Sequence, residues 1–169
     1  MVLVPEVVDA VAGNAAVLAA GGIGSGRQMA AALALGAQGV WTGSIWLTAA
    51  ESHTASVLKD KLLAAGSRDT IRSRAISGKP ARQLKTAWSE AWESADNPDP
   101  LPMPLQFMLT AEAVARLHHS ARAGIDNPLL TSPVGQIVGR MNEIRPAADI
   151  VAEMVAECQA TLARLGGLS

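Results

Sequence analysis

The sequence has one cysteine, Cys158, one phenylalanine, Phe107, and no tyrosine in 169 residues. A lone thiol excludes an internal disulfide and leaves no thiolate set for a metal cluster, which points to a reducing, cytoplasmic setting. So few aromatics argue against a β-sandwich. Much of the 49% hydrophobic content is alanine, as in an α/β protein whose helices lie close on a sheet. Charge is balanced, 14 basic against 15 acidic residues for a net −1, and no block of one sign stands out. The chain therefore offers no basic surface to nucleic acid or to an anionic membrane. No apolar run reaches membrane-spanning length, and the start MVLVPEVVDAV carries acids where a secretion signal has its basic end.

Glycine and alanine are plentiful, and they organise the stretch VLAAGGIGSGRQMAAALALGAQGVWTGSIWL, residues 17–47. Val17 to Ala20 is a short apolar run of the kind a strand covered on both faces shows, closed by Gly21-Gly22. Arg27 to Leu35 predicts an alanine-rich helix with Gly36 as its left-handed cap. Gln38 to Trp41 starts a second strand, which turns at Thr42-Gly43-Ser44. The 22 residues from Gly22 to Ser44 suit a compact strand–helix–strand crossover, right-handed with parallel strands. Parallel strands ending side by side in small residues turn backbone N–H groups outward, as a phosphate requires. Gly21, Gly22, Gly43 and Ser44, the last with its hydroxyl, are the candidate phosphate ligands. The competing reading is that the glycines serve tight turns and close helix packing. A dinucleotide fingerprint is not met, because no acidic residue ends the second strand.

Elsewhere the chain predicts helices over Pro5–Val11, over Glu51–Ala65 with Val57, Leu58 and Leu62 on one side, and over Ala81–Ser94 with Leu84, Trp88, Ala91 and Trp92 as its stripe. Two more follow, Leu105–His119 and Ala147–Leu165. The latter has Ile150, Val151, Met154, Val155, Cys158, Leu162 and Leu165 on its buried side. Residues 67–79 read as an irregular excursion with room for one short strand, NPDPLPMP (97–104) as a linker, and 126–139 as a loop. The expected division is 1–66, 67–104 and 105–169.

Few other residues suggest chemistry. His53, His118 and His119 lack metal-ligand spacing; adjacent histidines on a helix point about 100° apart. They read as solvated or half-buried. Ser25 and Ser44 have no base nearby in sequence and no nucleophile elbow, which disfavours covalent catalysis. Cys158 reads as core, and Trp88 with Trp92 as packing. Ser77-Gly78-Lys79-Pro80-Ala81-Arg82 reads either as a cationic segment closing over an anion or as a solvated loop, and Gly135-Gln136 as a turn.

The glycine stretch resembles the penultimate and last strands of the nitronate monooxygenase (2-nitropropane dioxygenase) family, FMN-dependent (β/α)8 barrels. The resemblance runs on through Ser77–Arg82, the proline-rich linker and Pro133-Val134-Gly135-Gln136 to the last helix. GVWTGSIWLT is similar in particular to an actinobacterial subgroup with members linked to steroid degradation. The implied fold class is α/β: the C-terminal part of a (β/α)8 TIM barrel, its last two strands, plus a mainly helical C-terminal region. The implied FMN-phosphate contacts fall on Gly21, Gly22, Gly43 and Ser44, Ser44 replacing a usual threonine. Ile45-Trp46 stands where many relatives have Arg-Phe, so a cation is missing there. The family's catalytic histidine lies in an upstream glycine-flanked motif without a counterpart here, and His53, His118 and His119 do not inherit its role. The expectation is therefore a C-terminal half that holds the FMN phosphate of an enzyme oxidising a small-molecule alkyl nitronate with O2. Two strands without the rest of a barrel would expose apolar surface and favour self-association. Alternatives are an FMN-dependent reductase or dehydrogenase of enoyl or CoA thioesters and a catalytically silent truncated product.

Overall fold

The computed structural model describes residues 2–167, which form two compact units, one from residues 2–51 with 145–167 and one from residues 52–144. In chain order the elements are α1 (Leu3–Val11), β1 (Leu18–Ala20), α2 (Gly26–Ala34), β2 (Gly39–Trp41), α3 (Ser56–Ala64), β3 (Thr70–Ser73), β4 (Ala81–Leu84), α4 (Ala87–Glu93), α5 (Leu105–Arg122) and α6 (Ala147–Gly166). Turns of 3-10 helix lie at Ser44–Thr48 and Gln136–Arg140.

In the first unit, β1 and β2 pair in parallel through α2, as the spacing predicts, in the register Leu18↔Gly39, Ala19↔Val40, Ala20↔Trp41. Gly36, at φ +95°, ends α2 in the left-handed region and lets Ala37 N–H bond back to the Ala32 carbonyl. The Gln38 amide then donates to Val17 O (2.9 Å) while the Gln38 side chain accepts from Val17 N (2.7 Å), which fixes where the pairing begins. Ala19, Ala32 and Ala37 form a small core with Val4, Ile23 and Val40 packed on it. Their short side chains let α2 lie close to the sheet. The strands are covered on one face only: Ala19 is buried, whereas Leu18 and Trp41 are 49% and 69% exposed. This corrects the expectation of strands covered on both faces.

α6 runs along α2, and the contact is tight because Gly26 has no side chain. A Cβ there would strike the backbone of α6 at Met154 and Cys158. Of the expected buried side of α6, Met154 and Cys158 are buried, but Val151, Val155, Leu162 and Leu165 stay largely exposed. α2 is short and built of alanine, so it covers only part of that stripe.

The second unit holds the main corrections. The expected helix Ala81–Ser94 is a strand followed by a helix: β4 pairs antiparallel with β3, from Thr70↔Leu84 to Ser73↔Ala81. On its other side β4 bonds residues 132–134, Leu84 N to Ser132 O (3.0 Å) and Val134 N to Arg82 O (3.1 Å). Backbone partners distant in sequence thus override a local helical pattern. Leu84 is buried on the strand and does not continue the Trp88–Trp92 stripe. The expected helix from Glu51 starts only at Ser56, after the Ser52 and Thr54 hydroxyls bond each other (2.8 Å) and Ser52 Oγ accepts from Thr54 N. Short polar side chains compete here with the helix backbone.

α5 begins inside out. Gln106 is fully buried, donating to Ala75 O (3.0 Å) and accepting from Leu101 N (3.0 Å), and the Thr110 hydroxyl donates to Ile76 O (2.7 Å). Leu105, Phe107, Met108 and Leu109 face solvent. No helix among the described residues is long and apolar enough to cross a membrane.

Candidate functional site

Because Ala20 pairs with Trp41, the residues that follow, Gly21-Gly22 and Thr42-Gly43-Ser44, leave the same edge of the sheet. The parallel register thereby brings the four sequence-predicted residues Gly21, Gly22, Gly43 and Ser44 to one place. Gly21 and Gly22 have φ of +94° and +70°, a region that side chains strongly disfavour, so the first turn depends on glycine. Gly43 has an ordinary φ of −125°, so its lack of a side chain matters for space instead. Among the described residues a Cβ built on Gly21, Gly22 or Gly43 meets nothing within 4 Å. Both turns thus present bare backbone to open room, which fits a phosphate group approaching amide N–H groups. Ser44 is half-buried and begins the 3-10 turn.

Sequence reasoning missed three side chains around these turns. Gln28, in the first turn of α2, donates from Nε2 to Gly22 O (2.7 Å) and accepts at Oε1 from Gly24 N (2.9 Å) and Ser25 Oγ (3.1 Å). Ser25 caps α2, accepting from Gln28 N. A Ser-x-x-Gln capping box was the available signal. Trp46 donates its indole N–H to Thr42 O (3.0 Å). Where the sequence suggested only the loss of a cation at Ile45-Trp46, the structure shows the indole bracing the second turn.

The third is Glu157 on α6. Its Oε2 accepts from Gly26 N (2.7 Å) and Arg27 N (3.3 Å), and its Oε1 from Arg27 Nε (2.8 Å). Burial pushes the Glu157 carboxyl up, but the Gly26 and Arg27 amides and the Arg27 guanidinium outweigh it and hold the carboxyl below its ordinary range. A carboxylate thus already occupies the first amides of α2, the positive end of that helix. An incoming anion is left with the two turns.

His53, His118 and His119 belong to the second unit, His53 and His119 exposed and His118 half-buried. Ser25 is spent on capping, and Cys158 is buried against α2. Trp88 and Trp92 pack with ring centroids 6.3 Å apart and planes tilted by 51°. Ser77–Arg82 is the connection between β3 and β4 and the start of β4; there Lys79 is exposed and Arg82 donates to Thr70 Oγ1 (3.1 Å). Gln136 is exposed at the start of its 3-10 turn. A cleft of about 530 Å³ in the second unit, lined by Arg72, Arg74, Trp92, Glu93 and Asp99 among others, matches two cations with two anions and shows no net preference for either sign. Among the described residues no three His, Cys, Asp or Glu side chains are grouped to hold a metal ion.

The profile of a protein family described as nitronate monooxygenase matches residues 1–157. A Mycobacterium tuberculosis protein bearing a monooxygenase name is 54% identical over 170 residues, which cover 99% of this chain and 45% of that protein. A Staphylococcus aureus protein named for nitronate monooxygenase is 34% identical over 155 residues, covering 90% of this chain and 41% of the relative. Among solved structures, FabK from Thermotoga maritima superposes with a TM-score of 0.81 at 34% identity, over 99% of this chain and 51% of that one. A nitroalkane oxidase from Streptomyces ansochromogenes gives 0.74 at 28% identity, over 96% and 44%. The chain spans about half the length of the relatives it matches, or somewhat less.

Proposed function

Because the chain belongs to the nitronate monooxygenase family, we propose that its paired glycine turns hold the phosphate of FMN, in a whole protein that oxidises an alkyl nitronate with O2. The fold of this chain is part of a (β/α)8 barrel, in which loops after the last strands commonly bind phosphate. One observation carries the reading: two parallel strands ending side by side in turns whose glycines leave open space. The amides of Gly21, Gly22 and Gly43 and the amide and hydroxyl of Ser44 would hold the phosphate. FMN bound there would supply two-electron redox chemistry through its ring system. This chain's part is to bind and orient the cofactor's tail. Proton chemistry belongs, on this reading, to the rest of the whole protein. A cytoplasmic setting goes with it.

A second reading is an FMN-dependent reductase or dehydrogenase of enoyl or CoA thioesters, since the related enoyl-reductase barrels share the same glycine turns. Steady-state turnover of the whole protein separates the two: oxygen uptake with an alkyl nitronate supports the first, reduction of an enoyl thioester the second. Cofactor binding is tested on the chain itself by absorption spectroscopy. A yellow preparation that releases stoichiometric FMN is expected; a colourless one that leaves the spectrum of added FMN unchanged would reduce the chain to a catalytically silent product.

A further inference from the structure

Both turns of the candidate site have a carbonyl tied back by a side chain from the following helical turn. Gln28 Nε2 donates to Gly22 O (2.7 Å), and the Trp46 indole donates to Thr42 O (3.0 Å). A trans peptide sets its C=O and N–H on opposite sides of the bond. Tying down Gly22 O therefore turns the Ile23 N–H away from Gln28, and tying down Thr42 O turns the Gly43 N–H away from Trp46. Two glycines in the left-handed region would otherwise leave the Gly21–Ile23 backbone free to rotate its amides.

From this arrangement we infer that Gln28 and Trp46 are positioning residues for the phosphate site, holding the Gly22–Ile23 and Thr42–Gly43 peptide planes so that the Ile23 N–H joins that of Gly43 among the amides offered to the anion. The inference rests on the FMN reading above.

Gln28 does more than cap a helix. In an ordinary capping box the third helical side chain only accepts, from the cap residue's own N–H, and Glu serves as well as Gln. Here Gln28 reaches past the cap, accepting from Gly24 N and Ser25 Oγ while donating to Gly22 O. A carboxylate would keep the accepting half, lose the donor to Gly22, and place a negative charge beside the anion's site. The residue type is therefore set by the turn rather than by the helix. Trp46 is likewise used as a donor, a role phenylalanine cannot fill.

The test compares FMN with riboflavin, which shares the ring and lacks the phosphate, by flavin fluorescence titration of the 169-residue chain. The wild type is expected to prefer FMN. Gln28→Glu should lower that preference by about five- to ten-fold, the worth of one or two hydrogen bonds. Its melting temperature should change little, since an acid in the first helical turn suits the dipole and offsets the bond lost to Gly22. Trp46→Phe should lower the preference by a few-fold. A Gln28→Glu chain that keeps the wild-type preference overturns the inference. So does equal weakening of FMN and riboflavin, which would mark a merely structural role. A wild-type chain that binds both flavins equally overturns the phosphate reading itself, and with it the brace.

Discussion

Residues around the turns divide into those that make space and those that hold shape, and substitutions separate them. Gly43 has a φ of −125°, outside the left-handed region, and open space where a side chain would stand. Gly43→Ala should therefore leave stability within about 0.5 kcal/mol of the wild type while weakening FMN binding at least ten-fold; loss of stability without loss of binding would sink the cradle reading. Gly26 shows the reverse case. Alanine there drives a methyl into the α6 backbone and should cost about 3 kcal/mol by chemical denaturation, with no change in flavin preference among the molecules that fold. Glu157 adds a pH dependence. Its carboxyl titrates lower in the folded chain, so its bonds to Gly26, Arg27 and the guanidinium stabilise the fold above the ordinary carboxylate value, about 4.3. That contribution is lost as pH falls through the folded value. Glu157→Gln should lower stability near neutral pH by roughly 1–2 kcal/mol, and urea midpoints of the two proteins should converge as the pH falls through the lowered folded value. The glycines of the first turn were legible as turn residues because a glycine pair set directly after an apolar run marks the point where a strand gives way to a turn. Gln28 was half legible, as a capping box; Glu157 was not, since nothing local marks a carboxylate that acts 131 residues away.

At the scale of elements, the crossover β1–α2–β2 followed from sequence because each piece is locally consistent: small apolar strands, an alanine helix, and a glycine at its end. Residues 81–84 misled because their partners are distant. Arg82 and Leu84 bond residues 134 and 132, and no local pattern announces those bonds. α5 misled in another way. Its existence was plain from its period, but the face it turns inward is the polar one. Gln106 and Thr110 anchor it to the Ala75 and Ile76 carbonyls, and the apolar residues between them face out. Burial rank alone would choose Phe107 and Leu109 for the interior. The orientation makes a prediction opposite to the usual hydrophobic rule. Gln106→Leu should destabilise by about 1–3 kcal/mol, because it strands the Leu101 amide and the Ala75 carbonyl, whereas Met108→Ser should fall within about 0.5 kcal/mol of the wild type. Denaturant midpoints showing the larger loss at Met108 would mean that the outer face is packed in solution.

For the molecule as a whole, the decisive fact is what the two parallel strands leave bare. α2 covers the face that carries Ala19 and Val40, while the alternate residues Leu18, Ala20 and Trp41 stand on the open face. Among the described residues each strand of this two-stranded sheet also keeps one edge without a strand partner, offering N–H and C=O groups to any extended chain. Parallel strands ordinarily have both faces covered, and a sheet of two strands is at the margin of stability without more packing. The relatives that share this fold are about twice as long, so further chain is available in them to cover such a face. In the 169-residue chain the surface that can cover it without a partner protein is a second copy. Sedimentation velocity over a range of concentrations is therefore expected to show reversible self-association. Leu18→Lys should shift it toward monomer: the residue lies on the open face, 49% exposed, and a cation there resists both face burial and edge pairing. Met108→Lys, on the exposed side of α5, serves as the comparison. If it disperses the oligomer and Leu18→Lys does not, association runs through the helix; a chain that stays monomeric at every concentration would show that the bare sheet is tolerated as it stands.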